Sequence, residues 1–123
     1  MVKKQRIVVI DDEVEICSLL KDLLTTEGYR VSTASDPVEG VWMVKKLQPD
    51  LVMLDLDMPK MSGVEVLRWI KKIHEPFVAI VMTGSDTPGS AKAAMRLGSF
   101  AHITKPFDLA QVKDLVKEAL ARS

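Results

Sequence analysis

The sequence predicts an α/β domain in which a single doubly wound, five-stranded parallel sheet carries five helices on its two faces. Two observations support this. Short apolar runs alternate from end to end with stretches whose apolar residues recur at helical spacing. Several of those runs are apolar throughout, as strands buried on both faces of a parallel sheet are. The 123 residues are enough for one such domain with a real core, and no linker, repeat or low-complexity segment interrupts them. The whole span 1–123 therefore reads as one domain.

Each element has its own signal. Ile7 to Ile10 is a continuous apolar strand, followed by Ile16, Leu19, Leu20, Leu23 and Leu24 on a helical stripe that Gly28 ends. Tyr29 to Thr33 alternates like a strand with one drier face. Asp36-Pro37-Val38-Glu39 opens the second helix with an N-cap acid, Pro at the first position and a capping-box Glu. Val41, Val44 and Leu47 continue that helix, and Pro49 stops it. Leu51 to Leu54 is the third strand. Ser62-Gly63-Val64-Glu65 starts a helix with Leu67, Ile70 and Ile73 on one stripe. Phe77 to Met82 is the fourth strand, and Thr87-Pro88 opens a short helix with Ala91, Ala94 and Met95 inward and Gly98 at its close. Phe100 to Ile103 is the last strand. Asp108 with Gln111 caps a final helix whose apolar face is Leu109, Val112, Leu115, Val116 and Ala119. Trp42 and Trp69 fall on the second and third helices.

Composition narrows the function. Lys+Arg and Asp+Glu are 17 each, giving a formal net charge of zero, which argues against direct nucleic-acid binding as a primary role. The one cysteine, Cys17, allows no internal disulfide and reads as a small core residue. No run is long enough to span a bilayer. The basic start, Val2-Lys3-Lys4-Gln5-Arg6, precedes only four apolar residues, too few for a signal core, so a cytoplasmic location without membrane partners is expected.

The chemistry gathers at strand ends, where parallel α/β sheets place their ligands. Asp11 and Asp12 follow Ile7 to Ile10, and Asp55 follows Leu51 to Leu54. Thr83 and Gly84 follow the fourth strand, and Lys105, before Pro106, follows the fifth. Each has a plain alternative when taken singly: a helix cap for Asp12, a loop acid for Asp55, a turn threonine for Thr83, a surface lysine for Lys105. Together they make an acid, acid, hydroxyl and ammonium set. Three close carboxylates repel, and a hard divalent cation such as Mg²⁺ removes the conflict. A carboxylate is also a competent nucleophile toward phosphorus. A cis bond before Pro106 would aim the lysine inward.

These residues resemble the receiver domains of two-component response regulators, the type that includes the chemotaxis response regulator. The resemblance covers essentially all of the chain. It rests on Asp11-Asp12, Asp55-Leu56-Asp57-Met58-Pro59 with Ser62-Gly63, Thr83-Gly84 and Lys105-Pro106-Phe107, in family order and spacing. It implies a flavodoxin-like receiver fold in which Asp55 takes a phosphoryl group from a histidine kinase or phosphotransfer protein. Asp12, Asp55 and the main-chain carbonyl of Asp57 would hold Mg²⁺, with Asp11 assisting through water. Thr83 and Lys105 would bind the phosphoryl oxygens and report their arrival, while Asp57 and Ser85 would tune hydrolysis. The protein would then be a switch that changes its surface for a downstream effector, hydrolysing its own label slowly without being a turnover enzyme. One position departs from the family: His102 stands where the switch partner of the threonine is usually Tyr or Phe.

The rival is an enzyme. Asp55-Leu56-Asp57 also resembles the nucleophile loop of haloacid-dehalogenase-type phosphatases, which use Mg²⁺, a hydroxyl residue and a lysine. Those enzymes carry the motif on the first strand and usually add a cap. Here it is on the third, with no insertion to form one. A plain nucleotide-binding module fails because neither a Gly-x-Gly-x-x-Gly turn nor a Walker loop follows any strand.

Overall fold

The apolar runs become strands that pair side by side. The computed structural model describes residues 4–74, 77–84 and 88–121. In it β1 (Arg6–Ile10), β2 (Arg30–Ala34), β3 (Leu51–Asp55), β4 (Val78–Thr83) and β5 (Ala101–Thr104) form one sheet. All pairs are parallel and the order is β2-β1-β3-β4-β5. Thr87 and Ser85 lie outside the described residues.

Alternation along the strands divides the core in two. Ile7, Val9, Leu51, Met53, Ile80 and Met82 point to one face, where α1 (Val14–Thr26) and α5 (Leu109–Ala121) cover them. Val8, Ile10, Val52, Leu54, Ala79 and Val81 point to the other, beneath α2 (Pro37–Leu47), α3 (Gly63–Ile73) and α4 (Pro88–Arg96). Each fully buried aliphatic side chain contributes about 1.5–3 kcal/mol, so these two layers hold the sheet. Cys17 is part of the first layer, as its place on the helical stripe implies.

Helix ends follow their signals. The Asp36 carboxylate accepts from Val38 N–H and Glu39 N–H, and Ser62 Oγ accepts from Glu65 N–H. Gly28 and Gly98, with φ of +99° and +98°, end α1 and α4 in the left-handed region that favours glycine. Gly63 has a different duty. A Cβ there would collide with the Leu56 backbone and approach the Asp55 carbonyl at 2.8 Å, so glycine lets α3 start hard against the end of β3.

Some expectations shift. β2, β4 and β5 begin one residue after Tyr29, Phe77 and Phe100, which pack against the core at the strand entries. The same strands run one residue further, because Ala34, Thr83 and Thr104 still pair. Leu19 and Met95, expected inward, are exposed. Each lies one residue, roughly 100° of helix, from the buried Leu20 or Ala94.

Candidate functional site

The strand order reverses direction between β1 and β3, and the chain leaves those neighbours toward opposite faces of the sheet. That opens a crevice at their carboxyl ends. Asp55 is the last residue of β3, Thr83 is the last of β4, and Asp11 and Lys105 directly follow β1 and β5. Lys105 N–H donates to the Thr83 carbonyl at 2.7 Å, tying those two ends together. The Lys105-Pro106 bond is cis.

The carboxylates converge. Asp11, Asp12 and Asp55 each offer an oxygen within 4.8 Å of the others. Asp11 is fully buried and Asp55 is 2% exposed, while Asp12 stands at the open side. Asp11 Oδ1 accepts from Glu13 N–H at 2.9 Å, so it, and not Asp12, orders the entry to α1. Asp55 Oδ1 accepts from Asp57 N–H at 2.9 Å. Lys105 Nζ lies 2.7 Å from Asp11 Oδ2 and 3.3 Å from both Asp55 Oδ2 and Glu13 Oε1. The last two contacts are hydrogen bonds. The contact with Asp11 is the shortest of the three and pairs the fully buried Asp11 carboxylate with the ammonium.

One ammonium does not balance three acids, and the acids respond. Burial raises the pKa of Asp55, and the Asp11 charge raises it further; the Asp57 N–H and Lys105 oppose the rise. Burial and the hydrogen bond and charge of Asp55 likewise raise Asp12. Burial works against the charge on Lys105, but Asp11, Asp55 and Glu13 together hold its pKa above the ordinary lysine value. Cys17, whose thiol donates to the Asp11 carbonyl, is pushed up to about 11 by burial and the Asp11 charge, and so is no nucleophile at neutral pH.

Two features of the site were not foreseen. Glu13 joins the Lys105 cluster, although its place directly after Asp11-Asp12 was a usable signal. The Asp57 carboxylate reaches across to accept from Gly84 N–H at 2.6 Å, joining the loops after β3 and β4. Thr83 is buried beside them, and His102 lies exposed on β5.

The family model for the response regulator receiver domain matches residues 7–117. The chain belongs to this family. Sporulation initiation phosphotransferase F of Bacillus subtilis is 34% identical to the chain over 116 residues, 94% of each. The alkaline phosphatase synthesis transcriptional regulatory protein PhoP of the same organism is 35% identical over 119 residues. That match takes in 97% of the chain and 50% of the relative, so the chain spans about half of that protein. Among solved structures, a CheY-like response regulator receiver domain protein from Methanospirillum hungatei superposes with a TM-score of 0.93 at 28% identity, covering 98% of the chain and 96% of that one. A receiver domain protein from Clostridium thermocellum gives 0.90 at 36% identity, covering 96% and 95%. The receiver domain is thus a phosphorylation-controlled signalling switch of the two-component type. The comparisons give the dehalogenase-type phosphatase no support.

Proposed function

We propose that Asp55 is the phosphoacceptor of this receiver domain, with Mg²⁺ held at the acid cluster. The observation that carries it is a buried strand-end carboxylate, 3.3 Å from an ammonium, within a triad of acids whose charges are unbalanced. A carboxylate oxygen of Asp55 attacks the phosphorus of a phosphohistidine on a kinase or phosphotransfer protein. The new O–P bond replaces the donor's P–N bond, and the electron pair returns to the imidazole, which takes up a proton. Lys105 then turns from the Asp55 carboxylate to a phosphoryl oxygen, and the Thr83 hydroxyl donates to another. A kinase donor draws on cellular ATP, which puts the exchange in the cytoplasm.

The residues present fit a hard divalent cation. All the donors are oxygens, and three carboxylates that converge within 4.8 Å of one another share a single ammonium. Asp12, Asp55 and the Asp57 carbonyl would hold the ion, with Asp11 acting through water. When bound, it would shield the acids and the incoming phosphoryl group from each other.

The label should stop at one phosphoryl group per chain. Incubation with excess acetyl phosphate and Mg²⁺, followed by intact mass, should show that single increment, and a phosphomonoester should not be consumed catalytically. Many equivalents hydrolysed per chain would make the protein an enzyme instead.

The effector is a protein or domain whose affinity changes with the label. His102, outward on β5, would turn in behind Thr83 when the threonine engages the phosphoryl group. NMR of its ring at one fixed pH should then show different chemical shifts in the two states, and identical shifts would remove His102 from the switch. Asp57 would tune lifetime through its bond to Gly84, and Ser85, next to Gly84 in the sequence, would share that duty. Asp57→Ala frees the Gly84 N–H, so the dephosphorylation half-life should change several-fold; an unchanged half-life would exclude that role.

A further inference from the structure

The outer faces of α2 and α3 share an apolar groove of about 360 Å³ that the phosphorylation chemistry does not use. Val38, Trp42, Met61, Trp69 and Ile73 line it, and Trp42 and Trp69 are 63% and 51% exposed. Two half-exposed tryptophans on adjacent helices form the kind of anchor found at the centre of interfaces.

Charge says what covers the groove. α2 and α3 follow parallel strands on the same face of the sheet, so they run side by side in the same direction. Each begins acidic, with Glu39 and Glu65, and each ends basic, with Lys45 and Lys46 on α2 and Lys72 on α3. The Lys45 and Lys72 ammonium groups lie 5.2 Å and 5.6 Å from the Trp42 and Trp69 ring centres. The positive ends thus border the tryptophans themselves. A groove negative at its head and positive at its foot is complementary to its own reverse.

We propose that this groove is a homodimer interface, filled by the same groove of a second copy with its helices antiparallel. A two-fold axis in the interface plane, perpendicular to the helices, lays α2 on α2 and α3 on α3. Glu39 then meets Lys45 of the second copy, and Glu65 meets Lys72 of the second copy, around a centre of four indoles. The other two-fold packing, with the axis along the helices, sets acid against acid and base against base. Two helices of 11 residues, each about 16 Å long, make a small interface, so the dimer is weak and micromolar. The proposal does not depend on phosphorylation of Asp55.

Sedimentation equilibrium of the unphosphorylated 123-residue chain, from low micromolar to submillimolar concentration, tests it. Monomer and dimer should exchange with concentration, and Trp42→Ala with Trp69→Ala should weaken dimerisation at least tenfold. Lys45→Glu should weaken it, and adding Glu39→Lys should restore it, with melting curves confirming that each variant is folded. A chain that stays monomeric at the highest concentration overturns the proposal, even if it binds some other helix. So does a dimer indifferent to the tryptophans. A Lys45→Glu defect that Glu39→Lys leaves unrepaired excludes the antiparallel arrangement.

Discussion

Lys105→Ala will lower the stability of the metal-free chain at pH 7 by about 2–4 kcal/mol, the cost of leaving buried carboxylates without their counter-charge. Among the described residues, Lys105 is the one cation placed against Asp11 and Asp55, which are themselves almost wholly buried. For a chain of this length the melting point should fall by roughly 6–15 °C. Lys105→Met, which keeps most of the stem, should lose nearly as much, because the loss is one of charge. The defect should shrink on acidification. Asp55 has a raised folded-state pKa, so its protonated form favours folding and removes the charge that Lys105 balances. On the alkaline side the sign reverses for the lysine. Its raised pKa contributes stability that is complete below the ordinary lysine pKa of 10.5 and is lost as pH rises through the folded value. Denaturant titration of the native chain and both variants checks this, and an unchanged midpoint for Lys105→Ala would contradict it.

Mg²⁺ should stabilise the native chain by mass action, by about 2.7 kcal/mol at a hundredfold excess over its dissociation constant. Asp12→Ala should lose most of that response. Without metal the order should invert, with Asp12→Ala melting above the native chain. The raised pKa values of Asp12 and Asp55 mean that their ionised forms disfavour folding. Their contribution is greatest below the ordinary carboxylate value of 3.8 and is lost as pH rises through the raised pKa values, so at neutral pH the cluster is a net cost. Calorimetry with and without Mg²⁺ reads both effects, and a native chain indifferent to Mg²⁺ would defeat the metal assignment.

The strand ends were legible because burial is costly for charge. An acid directly after Leu51 to Leu54 has to be placed somewhere special, and the parallel topology leaves one crevice for it. That reasoning put Asp11, Asp12, Asp55, Thr83 and Lys105 together, and the structure gathers them at one edge of the sheet. Single-residue helix orientation was less legible. Leu19 and Met95 match the stripe in composition but sit one step off it, and neighbouring core residues fill the space first. Contacts between loops were illegible. Nothing in the local sequence of Asp57 shows that its carboxylate reaches Gly84, because two separate strands must align before the two can meet. The apolar groove between α2 and α3 was hidden for the same reason: each helix shows its tryptophan, but only the fold sets them on one face.

Intact mass decides most directly whether Asp55 is the phosphoacceptor. The native chain and Asp55→Asn are treated side by side with a small phosphodonor and Mg²⁺, after melting curves show that both are folded. The native chain should gain one phosphoryl group and Asp55→Asn none. Equal labelling of the two would place the phosphoryl group on another residue and contradict the role assigned to Asp55.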